Sequence, residues 1–197
     1  MDSMGGERMS NTFEFHKTEI EGLLEIQPFN CDDLRGSFIK DYSKELFERA
    51  GISYDLAEVF YTVSHAGVVR ALHFQRNKQQ PKLVRCISGS IYDVVVDLRR
   101  NSQTFKKWKS FRLSGDNKKE ILVPAGCAHG YLVFEDSIVS YKCAEKFYGE
   151  YDDGIFWKDK DINVDWPLEE IREGIILSDK DKSLQSFAEF ETHYGSL

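Results

Sequence analysis

Imidazole, carboxylate and phenol side chains at a few positions of this sequence have the chemistry needed for acid–base work. His73 lies in a strand-like run over 68–75 that mixes apolar and polar residues. An imidazole shielded from water and oriented by a carboxylate is suited to act as a general base near neutral pH. A hydrogen-bonded histidine of the core fits the same pattern, so the run alone leaves both interpretations open.

Two carboxylates share one face of a second run. Asp93 and Asp97 are four residues apart in a strand-like segment whose opposite face is wholly apolar. Side chains of the same parity project from the same face of a strand, so the pair faces either solvent or the polar interior of a barrel. Lys82 begins the preceding strand-like run, and we expect it to pair with one of these carboxylates if it points the same way.

Three further side chains fit either a site or an ordinary structural role. His129 follows a predicted strand in the small-residue segment Pro-Ala-Gly-Cys-Ala-His-Gly at 124–130. Tyr141 is a proton donor if its phenol faces a cavity, and a core residue otherwise. Asp181 lies three residues after Ser178, the spacing of a helix capping box.

Short runs with a period of two, separated by turn residues, predict the elements that position these side chains. We expect strands at 23–28, 58–64, 68–75, 82–88, 90–99, 109–113, 119–123, 130–134 and 137–143, with 82–88 and 90–99 joined by a turn at Gly89. Such spacing favours an antiparallel sandwich, jelly roll or barrel. Helices are predicted over 43–51 and from Asp181 to about Phe190. No βαβ alternation or glycine-rich phosphate loop indicates a Rossmann or P-loop enzyme.

Composition narrows the class of protein. The 197 residues carry 26 Lys+Arg and 33 Asp+Glu, a formal net charge of −7, which argues against binding of nucleic acid. No run approaches the ~20 apolar residues of a membrane span. The four widely spaced cysteines predict reduced thiols and a cytoplasmic protein. We expect a flexible tail over 1–16, without a signal peptide, followed by one domain over 17–197.

The ordered set of motifs resembles the dTDP-4-dehydrorhamnose 3,5-epimerase family of nucleotide-sugar epimerases. Each motif is weak alone, but their order and separations are specific and extend from about residue 17 to 185. The matching stretches are Asp-Leu-Arg-Gly at 33–36, Val-Arg-Ala-Leu-His-Phe-Gln at 69–75, Lys-Leu-Val-Arg-Cys at 82–86, Asp-Val-Val-Val-Asp-Leu-Arg at 93–99, Ser-Gln-Thr-Phe at 102–105, Val-Pro-Ala-Gly-Cys-Ala-His-Gly at 123–130, Tyr-Lys at 141–142, Gly-Ile-Phe-Trp at 154–157, Asp-Trp-Pro at 165–167 and Leu-Ser-Asp-Lys-Asp at 177–181.

The resemblance implies an all-β, cupin-type jelly roll with short peripheral helices, a homodimer, and no cofactor. It implies an isomerase that inverts C3, C5 or both in a nucleotide-linked 4-keto-6-deoxysugar through an enolate. The sequence agrees that no metal is needed, because the His-x-His pair of metal-binding cupins is absent: His73 is followed by Phe74 and Gln75.

Site roles follow from the resemblance residue by residue. His73 resembles the general base with Asp181 as its orienter, Tyr141 the acid on the opposite face, and Lys82, near Asp93, the cation that stabilises the enolate oxygen. His129 resembles a site residue near the sugar, and Gln75 is expected to bind the substrate. Arg35 and Arg70 resemble the contacts of the diphosphate. Arg70 and His73 have opposite parity, so we expect either a bulge near Ala71 or a strand that begins after Arg70.

The residues that would recognise the nucleotide depart from the family pattern. A Gln-x-Asn motif becomes Glu58-Val-Phe60. The tyrosines that follow the Tyr-Lys step, one of which stacks on the base, become Lys146-Phe147, with Tyr148 next. The alternatives are therefore a 3-epimerase, a 5-epimerase or a 3,4-ketoisomerase acting on another nucleotide sugar, GDP- or CDP-linked, or a non-catalytic sugar-binding cupin.

Overall fold

The computed structural model describes residues 12–172 and 174–197. Strands β1 to β11 dominate this part of the chain, and the helices α1 to α3 are short. The strands span Glu14–Lys17, Leu24–Gln27, Phe29–Asp33, Gly36–Lys40, Glu58–Ser64, Val69–Gln75, Lys82–Asp97, Trp108–Ser114, Glu120–Val123, Cys127–Cys143 and Asp152–Gly154; the helices span Lys44–Arg49, Asp179–Lys182 and Phe187–His193, with a 3₁₀ turn at Leu168–Glu170.

Two antiparallel sheets face each other, sharing the long strands β7 and β10. The first half of β7 and the last residues of β10 lie in one sheet, in the order β1-β2-β9-β7-β10-β5. The second half of β7 and the first half of β10 lie in the other, in the order β8-β7-β10-β6-β11. This is a jelly-roll arrangement, and the all-β prediction is confirmed. The β3–β4 hairpin stands apart from both sheets.

The predicted turn at Gly89 is wrong, because β7 runs without interruption from Lys82 to Asp97. Gly89 adopts a φ of +79°, and a Cβ there would lie 2.3 Å from Oγ of Ser137 on the crossing strand β10. The glycine therefore permits a corner where β7 passes from one sheet to the other. β10 is likewise one strand, where the sequence predicted two.

Apolar side chains fill the space between the sheets and cover part of each outer face. The interior holds Val84, Ile91, Val95 and Phe111, all nearly inaccessible to water. On the outer face of the second sheet, Phe187 and Phe190 of α3 pack against strand side chains. On the outer face of the first, Phe47 of α1 does the same. α1 confirms the helix predicted over 43–51, slightly shorter.

The single C-terminal helix predicted from Asp181 to Phe190 is wrong: two helices stand in its place. α2 ends at Lys182, and α3 begins after Ser186, which forms a capping box with Glu189. The new cap starts a second helix at the angle that buries Phe187 against the sheet.

The predicted tail over 1–16 is also too long. Residues 1–11 lie outside the described part of the chain, but β1 begins at Glu14. Phe13 is buried and contacts Phe15 and Phe47, with ring centroids 5.9 and 5.6 Å away. These aromatic contacts stabilise residues 13–16 against the body of the protein, which a polar tail could not achieve. In the described ranges, no helix has the length and apolar character needed to cross a membrane.

Candidate active site

A cavity of about 310 Å³ opens between the two sheets, and nine of the twelve predicted site residues line it. β5, β6, β7 and β10 supply most of its wall, and the segment around α2 closes one side. The predicted residues in the wall are Phe60, Arg70, His73, Gln75, Lys82, His129, Tyr141, Phe147 and Asp181.

His73 and Asp181 form a close pair at this wall. Nε2 of His73 lies 2.7 Å from Oδ1 of Asp181, and the two side chains are 27% and 7% exposed. Ser178 donates its hydroxyl to Oδ2 of the same carboxylate at 2.7 Å and accepts from the Asp181 backbone N–H. Burial tends to raise the pKa of Asp181, but the interactions with His73 and Ser178 outweigh it and lower that pKa. The carboxylate thus stays ionised behind the imidazole.

A β-bulge brings Arg70 and His73 to the same cavity despite their opposite parity. Across β6 and β10, His73 faces His129 while Arg70 faces Tyr131, so three steps on β6 match two on β10. The bulge near Ala71 is the first of the two arrangements expected from the sequence. Gly130 makes room for it, because a Cβ there would lie 2.3 Å from Cβ of Ala71 and 2.6 Å from the Arg70 carbonyl oxygen.

His129 is fixed from behind by Asp93. Its Nε2 lies 2.8 Å from Oδ2 of Asp93, and the side chains are 4% and 0% exposed. Asp93 therefore faces the interior of the jelly roll rather than solvent, which decides between the two orientations left open by parity. It orients His129 and does not itself reach the cavity wall.

Tyr141 and Lys82 complete the chemically active part of the wall. Tyr141 is nearly inaccessible and stacks on Phe60, with ring centroids 4.8 Å apart at 14°. Burial, followed by the neighbouring Tyr131, raises the pKa of Tyr141 well above its usual value, so the phenol holds its proton. Burial lowers the pKa of Lys82, while Cys143, Asp152 and Asp93 oppose that effect.

Two predicted substrate contacts are engaged elsewhere. Glu58 is absent from the cavity wall and accepts the backbone N–H of Phe147 at 3.0 Å. Gln75 lines the wall, but its side-chain amide forms hydrogen bonds with backbone groups of Lys78, Lys146 and Tyr148. Both side chains therefore hold the segment that presents Phe147 at the cavity mouth. Direct contact of either with substrate stays a prediction.

Arg35 lies away from the cavity of its own chain. It belongs to the β3–β4 hairpin, where its side chain is 90% exposed and pairs with Asp33. Sequence order could not show this, because the motif lies on a projecting hairpin whose position depends on tertiary structure. One chain therefore does not assemble the whole predicted set.

Seven residues of the wall were not predicted from the sequence. Tyr131 has the parity of His129 on the same strand, and Thr62 has the parity of Phe60, so period two could have found both. The remaining ones approach through loops and α2, for which strand parity gives no signal. The missed residues are Thr62, Phe74, Gln80, Tyr131, Asp152, Ser178 and Lys180.

An imidazole backed by a carboxylate, a protonated phenol and an amine share one cavity between the sheets of a jelly roll. Such groups serve removal and return of a proton at carbon, which is the chemistry of an epimerase. The family model for dTDP-4-dehydrorhamnose 3,5-epimerase matches residues 17–189. The chain belongs to this family, and it is an isomerase of the class that epimerises carbohydrates.

Individual relatives agree with the family assignment. The dTDP-4-dehydrorhamnose 3,5-epimerase of Methanothermobacter thermautotrophicus is 44% identical over 178 residues, 90% of this chain and 96% of that protein. A dTDP-6-deoxy-D-glucose-3,5-epimerase from Legionella pneumophila, solved with dTDP-4-keto-L-rhamnose, has a TM-score of 0.84 at 32% identity, covering 89% of this chain and 93% of that one. A 3′-monoepimerase from Streptomyces bikiniensis, solved with dTDP-quinovose, has a TM-score of 0.83 at 28% identity, covering 90% and 89%. These likenesses confirm the predicted jelly roll of the cupin type.

Proposed function

We propose that this enzyme inverts C3 and C5 of a dTDP-linked 4-keto-6-deoxysugar by removing and returning a proton at each carbon. The observation that carries the proposal is the position of the His73–Asp181 pair and Tyr141 on the two facing sheets around one cavity. A base and an acid on opposite sides of a carbon are what inversion requires. The names of the relatives and the ligands of the solved neighbours support the substrate class.

His73 removes the proton from the carbon beside the C4 ketone. That proton is acidic only if the enolate oxygen is stabilised, and Lys82 supplies the positive charge within the same cavity. Asp181 orients the imidazole and stabilises its protonated form. Tyr141, kept protonated by burial, then delivers a proton from the other face. No residue on this route needs a metal or an organic cofactor.

The nucleotide end of the substrate lies towards the cavity mouth. Arg70 offers a guanidinium for the diphosphate, and its Nε bonds Ser64 at 3.1 Å, which fixes its direction. Phe60 and Phe147 are 36% and 54% exposed there and present aromatic faces on which a base can stack. This placement supports the proposal that the altered recognition residues still hold a nucleotide.

We infer that the functional unit is a homodimer. The β3–β4 hairpin carries Arg35 beyond the body of its own chain, and the outer face of the first sheet is apolar and exposed. Its exposed side chains are Val59, Tyr61, Val63 and Ile87, between 45% and 68% accessible. A second copy seated on this face would cover the apolar patch and bring Arg35 to the partner's cavity.

The free cysteines among the described residues support a cytoplasmic location.

Inversion at a single carbon is the second candidate, favoured by the likeness to a 3′-monoepimerase. Incubation with the dTDP-4-keto-6-deoxysugar in D₂O followed by product NMR separates the two. Deuterium at both C3 and C5 with inverted configuration supports the main proposal, and deuterium at one carbon supports the second. A migrated carbonyl identifies a ketoisomerase, and no exchange with any dTDP-, GDP-, CDP- or UDP-linked 4-ketosugar contradicts the proposal.

A further inference from the structure

A second tyrosine, Tyr131, lies in the cavity wall beside the acid Tyr141, and nothing in the reaction described so far uses it. Its side chain is 1% exposed, yet it lines the cavity. It shares the interior side of β10 with His129 and Tyr141. The His129 ring neighbours both phenols, with its centroid 6.2 Å from that of Tyr131 and 6.1 Å from that of Tyr141.

The Tyr131 hydroxyl has two hydroxyl-bearing neighbours, Thr62 and Tyr141. It lies 2.8 Å from Oγ1 of Thr62 on β5, an adequate hydrogen-bond distance for two hydroxyls. The Tyr131 phenol also neighbours the Tyr141 phenol, and together with burial it raises the pKa of Tyr141. Thr62 is only partly buried, unlike Tyr131. The three hydroxyls therefore lead from the accessible part of the cavity to the buried phenol of Tyr141.

An inversion leaves the enzyme with one proton too many on His73 and one too few on Tyr141. His73, 27% exposed, can return its proton to water directly. Tyr141 is nearly closed off and needs a route for a new proton. A hydroxyl both donates and accepts, so it can pass a proton on without changing its own charge.

We propose that Tyr131, held by Thr62, positions the Tyr141 hydroxyl and passes to it the proton that restores it after each inversion. Water gives a proton to Thr62, Thr62 gives its own to Tyr131, and Tyr131 gives its own to the Tyr141 phenolate. The His73 imidazolium releases one proton to water, so the cycle closes with no net change. This proposal rests on the function proposed above, and it makes Tyr131 a positioning residue for the acid.

The test separates proton removal from inversion. The wild type and Tyr131→Phe react with the dTDP-4-ketosugar in D₂O, and NMR measures deuterium both in the product and in recovered, uninverted substrate. Removal and return of a proton on the His73 face labels the substrate without inverting it. We expect Tyr131→Phe to lower the kcat of inversion by about 10-fold, with KM changed less than about twofold, because part of an acid contribution of 10²–10⁴ is lost. Labelled substrate should accumulate relative to product.

Thr62 provides the matched pair of variants. Thr62→Val removes the hydroxyl and should also raise the ratio of labelled substrate to inverted product. Thr62→Ser keeps the hydroxyl and should give the wild-type ratio. Should Tyr131→Phe fail to fold, the Thr62 pair decides alone. The proposal is overturned if Tyr131→Phe leaves the ratio of labelled substrate to inverted product unchanged, or if it slows labelling and inversion equally. Failure of the proposed function is distinct, because the wild type would then label nothing.

Discussion

Oδ1 of Asp181 lies 2.7 Å from Nε2 of His73, while the same residue closes the first turn of α2 through Ser178. Both interpretations of Asp181 from the sequence are therefore partly right. Ser178 caps the helix, but the carboxylate turns to the imidazole and the Ser178 hydroxyl instead of the cap backbone. The short helix α2 therefore positions the Asp181 carboxylate against the imidazole of His73.

Asp181→Asn should lower kcat by about 10²-fold while KM changes little, because the amide cannot stabilise an imidazolium as a carboxylate does. Steady-state kinetics measures both constants. Asp179→Asn on the same helix is the control, since that side chain is fully exposed, at 100%, and pairs with Lys182 on the same helix. Equal effects of the two substitutions would contradict the role of Asp181.

Lys82→Met should lower kcat by about 10²-fold, the scale expected when a group that stabilises a developing oxyanion is removed. Binding of dTDP itself, measured by calorimetry, should change much less, because Lys82 is assigned to the sugar ketone. Lys109→Met removes a partly exposed lysine on β8 and should leave both quantities unchanged. Loss of dTDP affinity in Lys82→Met without loss of kcat would show that Lys82 binds phosphate instead.

A dimer that shares its sites predicts complementation between inactive chains. Arg35→Ala loses the hairpin cation, and His73→Asn loses the base, so each homodimer should be impaired. In a mixed dimer, one cavity keeps its own His73 and receives Arg35 from the partner. Random pairing of equal amounts makes half the dimers mixed, each with one intact site of two.

Activity after unfolding and refolding the mixture should therefore reach about a quarter of the wild type. The separately refolded variants, combined afterwards without exchange of subunits, are the control. Activity no higher than the mean of the two variants would show that Arg35 serves no neighbouring cavity.

Asp97 should govern stability at low pH. Burial would raise the pKa of Asp97, but hydrogen bonds from Arg99, Ser102 and Thr104 outweigh it and lower that pKa to about 2. A depressed folded-state pKa contributes stability above the unfolded value, near 4, that is lost as the pH falls towards 2. Asp97→Asn should cost about 2 kcal/mol at pH 7 and progressively less below pH 4.

Urea unfolding of wild type and Asp97→Asn between pH 7 and pH 3 measures this difference. Asp116→Asn, in an exposed turn, is the matched control. A cost that stays constant down to pH 3 would mean that packing, and not ionisation, explains the effect of the substitution.

Much of this architecture could be predicted because period-two patterns and ordered motifs act locally. The strand over 58–64 is found with the predicted bounds, and the bulge near Ala71 is one of the two arrangements expected once Arg70 and His73 were assigned to one site. Asp93 was predicted to face either solvent or an interior, and only the packing of two sheets decides that.

Features set by tertiary contacts could not be predicted in this way. Gly89 has the local signature of a turn, but the crossing strand at Ser137 makes it a corner. Arg35 belongs to a motif of the site, yet its hairpin projects away from the chain's own cavity. Glu58 looked free to recognise a base, but its carboxylate holds the backbone of Phe147. For Gly89 and Glu58 the deciding contact is distant in sequence, and for Arg35 it is the position of the hairpin relative to the sheets.

The most direct test of the account is the rate at which His73 removes a carbon-bound proton. Wild type, His73→Gln and the exposed control His65→Gln, with 83% of its side chain accessible, are compared for uptake of deuterium at C3 and C5 of the dTDP-4-ketosugar. We expect uptake with inversion in the wild type and His65→Gln, and a fall of at least about 10²-fold in His73→Gln. Uptake at the wild-type rate in His73→Gln would contradict the assignment of His73 as the base.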